Sequence, residues 1–290
     1  MTLLLELAHG LPWLYFSLVF LFSLMIGSFL NVVIHRLPIM LEREWQAEYS
    51  DYFGSEVATS SAEPYNLMVP RSRCPHCDHP IGALENIPLL SWLWLKGRCR
   101  QCKAPISARY PLVELLTALL SVTVAATLTP GWGALAALAL TWVLVALTFI
   151  DLDKMLLPDQ LTLPLLWGGL LFNLAGGFVP LADAVIGAMA GYLVLWSLYW
   201  AFKLLTGKEG MGHGDFKLLA ALGAWLGWQA LPIVLLLSSL VGAIIGIGLI
   251  LLRNHHQGKP IPFGPYLAIA GWIALLWGDN ITRWYLDIVL

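Results

Sequence analysis

The chain has 290 residues, of which 59% are apolar and 12% charged, with a formal net charge of −2 and a mean hydropathy of +0.75. Ordinary soluble domains run roughly 45–50% apolar and about 25% charged, so a fold surrounded by water is excluded. The near-neutral balance also offers no basis for binding nucleic acid, and the partner that composition demands is a lipid bilayer.

A helix crossing a bilayer needs about 20 mainly apolar residues, because every backbone polar group must be satisfied within the segment. Apolar runs occur at 11–34, 111–129, 133–150, 160–178, 181–202, 217–230, 231–252 and 263–280. They predict an all-α polytopic membrane protein of about eight transmembrane helices. The weakest division separates the sixth run from the seventh, marked only by Trp228, Gln229 and Pro232, and the sixth is short for a span. Seven helices is the alternative.

The segment before the first run has no Lys or Arg, whereas His35, Arg36 and Arg43 follow it. A cleaved signal peptide has the opposite charge order and a shorter apolar core, so the first run reads as an uncleaved anchor with its N-terminus outside. If the helices alternate, segments 35–110, 151–159, 203–217 and 253–262 share one side and hold 15 of the 16 Lys and Arg residues, leaving only Arg283. Basic residues gather in cytoplasmic loops. These four segments are therefore expected in the cytoplasm and both termini in the periplasm. A seven-helix chain would move Arg253 and Lys259 to the other side.

Residues 35–110 form an extramembrane insert containing all four cysteines, as Cys74-Pro-His-Cys77, 21 residues, then Cys99-Arg-Gln-Cys102. Two such knuckles can face each other and present four thiolates to tetrahedral zinc. The insert is thus expected to be a zinc-ribbon-like module with a structural metal. Two disulfides are the alternative, but a reducing cytoplasm opposes them. His76 and His79, beside the first knuckle, are expected to be exposed rather than ligands. Ile39 to Tyr52 mixes apolar and charged residues as an amphipathic helix that either continues the first span or lies on the membrane surface. Residues 54–63, rich in Ser, Ala and Gly, read as a loose connection.

Asp151 closes the third run, where the helix dipole disfavours an anion by roughly 0.3–1 kcal/mol. Its ordinary reading is a boundary residue in water with Lys154 as counterion. Asp153 reads as a loop acid and Asp159 as the N-cap of the fourth helix. A second acid, Asp215, lies in Gly207-Lys-Glu-Gly210-Met-Gly212-His-Gly214-Asp215-Phe-Lys217, between the fifth and sixth runs. This loop lacks the Gly-Lys-Ser/Thr ending of a phosphate-binding loop, and Asp215 could also be an N-cap. Two aspartates on one membrane face can share a proton, one acting as base on a water and the other as acid toward a carbonyl. Whether Asp151 and Asp215 meet is not legible from spacing alone. Glu114, inside the second run, is an intramembrane carboxylate and so a functional candidate, with a near-interface residue bonding neighbouring helices as its plainer reading.

The ordered set Gly27-Ser-Phe-Leu-Asn-Val-Val-Ile-His-Arg36, the paired knuckles, Arg109-Tyr-Pro-Leu-Val-Glu114, Ile150-Asp151-Leu-Asp153 with Leu157-Pro158-Asp159, Gly212-His-Gly214-Asp215-Phe-Lys217 and Pro262-Phe-Gly-Pro265 resembles the type IV prepilin peptidases. These are polytopic aspartic proteases of bacterial inner membranes, and the resemblance covers nearly the whole chain. It implies Asp151 and Asp215 as the catalytic pair. It further implies cleavage of prepilin and pseudopilin leaders at a Gly-Phe bond on the cytoplasmic side, then methylation of the new amino group by S-adenosylmethionine, in service of type IV pilus and type II secretion assembly. The domains then read as an anchor (1–34), the insert (35–110) and a seven-helix membrane peptidase domain (111–290). No glycine fingerprint or separate domain locates the methyl donor, for which the insert and its membrane junctions are the expected neighbourhood. Asp153, Asp159 and Glu209 are candidates to attract a basic leader, with ordinary loop charges as the equal alternative.

Two other classes fit part of the pattern. A transporter would place acids near the middle of several spans, whereas this chain keeps most at the edges. A non-catalytic assembly factor would explain the cysteines but not the Gly-His-Gly-Asp loop.

Overall fold

The computed structural model describes residues 2–54, 64–251 and 261–289, and among them the regular elements are helical, with two isolated β-bridges in the insert. The chain divides into two units, Met1–Ala125 and Ala126–Leu290.

The first unit contains α1 (Thr2–Gly10), α2 (Pro12–Phe53), α3 (Leu90–Trp94) and most of α4 (Arg109–Thr127). Helix α2 opens with proline in its first turn, where the missing N–H is not needed, and closes on Gly54 at φ 61. Its 42 residues span about 63 Å at 1.5 Å per residue, twice the apolar slab of about 30 Å. The amphipathic stretch 39–52 is therefore the continuation of the first span, and position 34, the expected end of the anchor, lies inside the helix. Of the expected loose connection, 55–63 lies outside the described residues. Close packing joins α2 to α4: a Cβ on Gly27 would stand 2.7 Å from the Glu114 Cα. Arg36, buried on α2, donates to the Asn66 and Pro70 carbonyls at 2.9 and 2.6 Å.

The second unit is a bundle of α5 (Trp132–Lys154), α6 (Asp159–Leu174), α7 (Leu181–Thr206), α8 (His213–Leu226), α9 (Leu231–Leu251) and α10 (Gly264–Val289). Helix α8 is its hub. Phe216, Leu218, Leu219, Ala221, Leu222 and Ala224 are all fully buried, and since these positions point around the whole helix, α8 is wrapped by protein. It meets α7 backbone to backbone: a Cβ on Gly223 would fall 2.2 Å from the Gly187 carbonyl oxygen. Small residues permit this approach in membrane bundles. Asn173 on α6 donates to the Ala224 and Trp225 carbonyls and accepts from the Phe178 and Val179 N–H groups.

Each of the eight apolar runs carries a helix, yet among the described residues only five helices are long and apolar enough to cross a membrane: α2, α4, α5, α7 and the segment 228–248 that holds most of α9. Helices α6 and α8, of 16 and 14 residues, extend only about 24 and 21 Å, and α10 carries Asp279 and Arg283 in its second half. Apolarity in α8 reflects burial within protein rather than contact with lipid. The segment 228–248 is the opposite case, with only 17% of its apolar window buried, so its surface faces lipid. The protein is a multi-pass membrane protein.

Candidate active site and cysteine cluster

Asp151 occupies the last turn of α5 and is 5% exposed, which removes the reading of a boundary residue in water. Its Oδ2 accepts the Gly264 N–H at 3.0 Å. Gly264 is the first residue of α10, so this amide is one of the donors a helix N-terminus leaves without an intrahelical acceptor. The unfavourable dipole at the end of α5 is thereby offset by the favourable one at the start of α10.

Asp215 lies in the first turn of α8, whose N-cap is Gly212 rather than Asp215. It is 6% exposed, and its Oδ1 is buried without a hydrogen-bond partner in the protein. The Asp151 carboxylate acts on it electrostatically. Leu157 ties the two aspartates sterically: a Cβ on Gly214 would stand 2.7 Å from the Leu157 Cβ, and one on Gly264 would stand 2.7 Å from Asp151 Oδ2 and 3.1 Å from the Leu157 methyls. Both glycines exist to let the chain close around Leu157, which brings the two acids into one neighbourhood. Sequence spacing carried no sign of the Gly264 amide or of the Leu157 wedge.

The neighbouring acids differ. Asp159 is not the N-cap of α6, a place taken by Pro158, but a first-turn residue paired with Lys217 at 2.6 Å. Glu209 pairs with Lys203 at 2.8 Å, and that ammonium holds its carboxyl below the usual range. These two charges are already matched within the protein, which reduces what they offer a basic leader.

In the insert, the sulfurs of Cys74, Cys77, Cys99 and Cys102 all lie within 4.8 Å of one another, with Cys74–Cys102 and Cys77–Cys99 at 3.7 and 3.9 Å. A zinc–sulfur bond of about 2.3 Å requires tetrahedral sulfurs about 3.8 Å apart, so the four residues fit such an ion. All four are free thiols, and the disulfide alternative is not what the geometry adopts. N–H groups of Cys102 and Gln101 hold the Cys99 thiol down at about 6. His76 is exposed, and His79 turns to Glu85 at 3.2 Å.

The two knuckles repeat each other at a spacing of 25. Arg73 bridges Pro80 as Arg98 bridges Pro105; Cys74 N–H donates to His79 O as Cys99 N–H donates to Ala104 O; Asp78 and Lys103 both sit at positive φ, 54 and 60. Arg-Cys-x-x-Cys-x-x-Pro-Ile recurs at 73–81 and 98–106, a repeat visible in the sequence that reading for metal ligands alone passes over. Glu114, buried on α4, accepts the Leu89 N–H at 2.9 Å. It ties the insert to α4.

Residues 21–128 match the Bacterial Peptidase A24 N-terminal domain, and residues 138–247, which contain both aspartates, match the Type IV leader peptidase family. The chain belongs to the type IV leader peptidase family. It is similar to proteins named "Prepilin leader peptidase/N-methyltransferase" from Aeromonas salmonicida (89% identical, all of both chains), Aeromonas hydrophila (89%, 99% of both) and Pseudomonas aeruginosa (61%, 92% of both). No solved structure matches the chain. Membership makes the protein a membrane-embedded enzyme, a peptidase that is also a methyltransferase.

Proposed function

We propose that the protein removes the leader of type IV prepilins and pseudopilins by aspartic catalysis, cutting a Gly-Phe bond at the cytoplasmic face of a bacterial inner membrane. It then methylates the new amino group with S-adenosylmethionine. The observation that carries the peptidase reading is the pair of buried carboxylates, Asp151 at the end of α5 held by the first amide of α10 and Asp215 in the first turn of α8 with an unpartnered oxygen. Asp151, oriented by the Gly264 amide, takes a proton from water as the water oxygen adds to the scissile carbonyl carbon. Asp215 gives the shared proton to the carbonyl oxygen. Collapse of the tetrahedral intermediate breaks the C–N bond as the leaving nitrogen takes up a proton.

Helix-end placement suits a substrate whose basic leader stays in the cytoplasm while its apolar segment lies in lipid, so that the bond falls at the interface. The insert, with zinc on Cys74, Cys77, Cys99 and Cys102, serves as a scaffold, and the metal supplies folding energy there. Methyl transfer rests on the family's bifunctional relatives, and no residue is assigned to it. The chain is organised as anchor, insert and seven-helix peptidase domain, with both termini in the periplasm.

The test is cleavage of a prepilin in membranes by the wild type, Asp151→Asn and Asp215→Asn. Each variant should lose cleavage while keeping fold and zinc content. Near-wild-type cutting by either one overturns the assignment.

A further inference from the structure

The insert carries a feature that neither peptide cleavage nor zinc binding uses. Helix α3 has only five residues, and Leu90, Leu93 and Trp94 are 65%, 63% and 78% exposed. Its inner side is anchored: the Trp92 Nε1 donates to the Ile106 carbonyl at 3.2 Å, and a Cβ on Gly97 would meet the Trp92 ring at 2.9 Å. The outward residues therefore cannot turn inward without unseating Trp92.

Beside them lies a shallow cleft lined by Trp94, Leu95, Lys96, Arg98 and Lys103. The three cations are exposed and, among the described residues, no ion pair engages them, whereas nearby Arg100 pairs with Glu85 at 3.4 Å. The height of this patch is set by the bond from Leu89 N–H to Glu114. Glu114 is only the sixth residue of the membrane-spanning α4, so α3 begins level with the first turns of a span.

We propose that α3 and its cleft are a membrane-surface anchor for the insert: Leu90, Leu93 and Trp94 enter the headgroup–acyl boundary, and Lys96, Arg98 and Lys103 hold the phosphate of an anionic phospholipid. Apolar side chains including tryptophan suit that boundary, and each cation near an anionic surface adds roughly 1 kcal/mol of attraction. Charge complementarity selects the lipid surface over a basic peptide, which the cleft repels.

Hydrogen exchange on the full chain in nanodiscs tests this, comparing phosphatidylcholine discs with discs that also contain phosphatidylglycerol. Amides of residues 89–98 should exchange about tenfold more slowly with the anionic lipid, the factor expected from one or two cation contacts. Lys96→Asn, Arg98→Gln, Lys103→Asn together should abolish that dependence with zinc content unchanged; asparagine tolerates the positive φ of positions 96 and 103. Leu93→Ser, Trp94→Ser should raise exchange in both lipids. Exchange that is the same in both discs overturns the proposal. So does protection by S-adenosylmethionine in phosphatidylcholine discs without any response to lipid charge, which would give the cleft to the methyl donor.

Discussion

Asp151 depends on a single backbone amide, and the residue that supplies it has no room for a side chain. A Cβ at position 264 would lie 2.7 Å from Asp151 Oδ2, inside contact distance, so Gly264→Ala must displace the carboxylate. Misplacement of a reacting group by about 1 Å can reduce a rate on the order of 10²-fold. We expect Gly264→Ala to lower prepilin cleavage by that order with little change in thermal unfolding, checked by cleavage kinetics beside a melting curve. The Asp159–Lys217 pair predicts the contrary pattern. Its members are 50% and 30% exposed, and exposed pairs contribute about 0–1 kcal/mol. Lys217→Gln should therefore leave the melting temperature nearly unchanged.

At the scale of the element, α8 explains why a 14-residue helix can carry a candidate catalytic residue inside a membrane bundle. Its backbone lies against α7 at Gly187 and Gly223, and its C-terminal carbonyls are held by Asn173. Asn173→Leu would strand two buried carbonyls and two N–H groups, each costing roughly 1–3 kcal/mol when unsatisfied. A clear fall in melting temperature in detergent is expected, and an unchanged one would show that α8 is held otherwise. Gly223→Val would force α7 and α8 apart and should prevent stable folding, read as loss of detergent-soluble protein on size exclusion.

At the scale of the whole molecule, the insert is small: each knuckle closes on its own short backbone bridge, and the two come together at the four sulfurs and at Glu85, which pairs with both His79 and Arg100. Binding free energy of a structural metal is largely folding free energy in such modules. One zinc per chain is expected by atomic spectroscopy. Chelation should speed amide exchange across 72–106 while the amides of α8, enclosed by protein, remain protected.

Composition and periodicity determined the membrane class and the positions of the helices, because the demand that lipid makes on backbone hydrogen bonding is written into every long apolar run. The cysteine spacing determined the cluster, because two short turns holding two thiolates each have few ways to meet. Which apolar runs are enclosed by protein and which face outward was decided only by tertiary structure. Apolar residues are equally apolar against lipid and against protein, so the run 217–230 looks like the others in sequence while α8 is a buried hub. The meeting of Asp151 with Asp215 was likewise a tertiary matter, since it depends on a glycine amide 113 residues beyond Asp151 and on Leu157 wedged between two glycines, contacts between side chain and backbone that leave no periodic trace in the sequence.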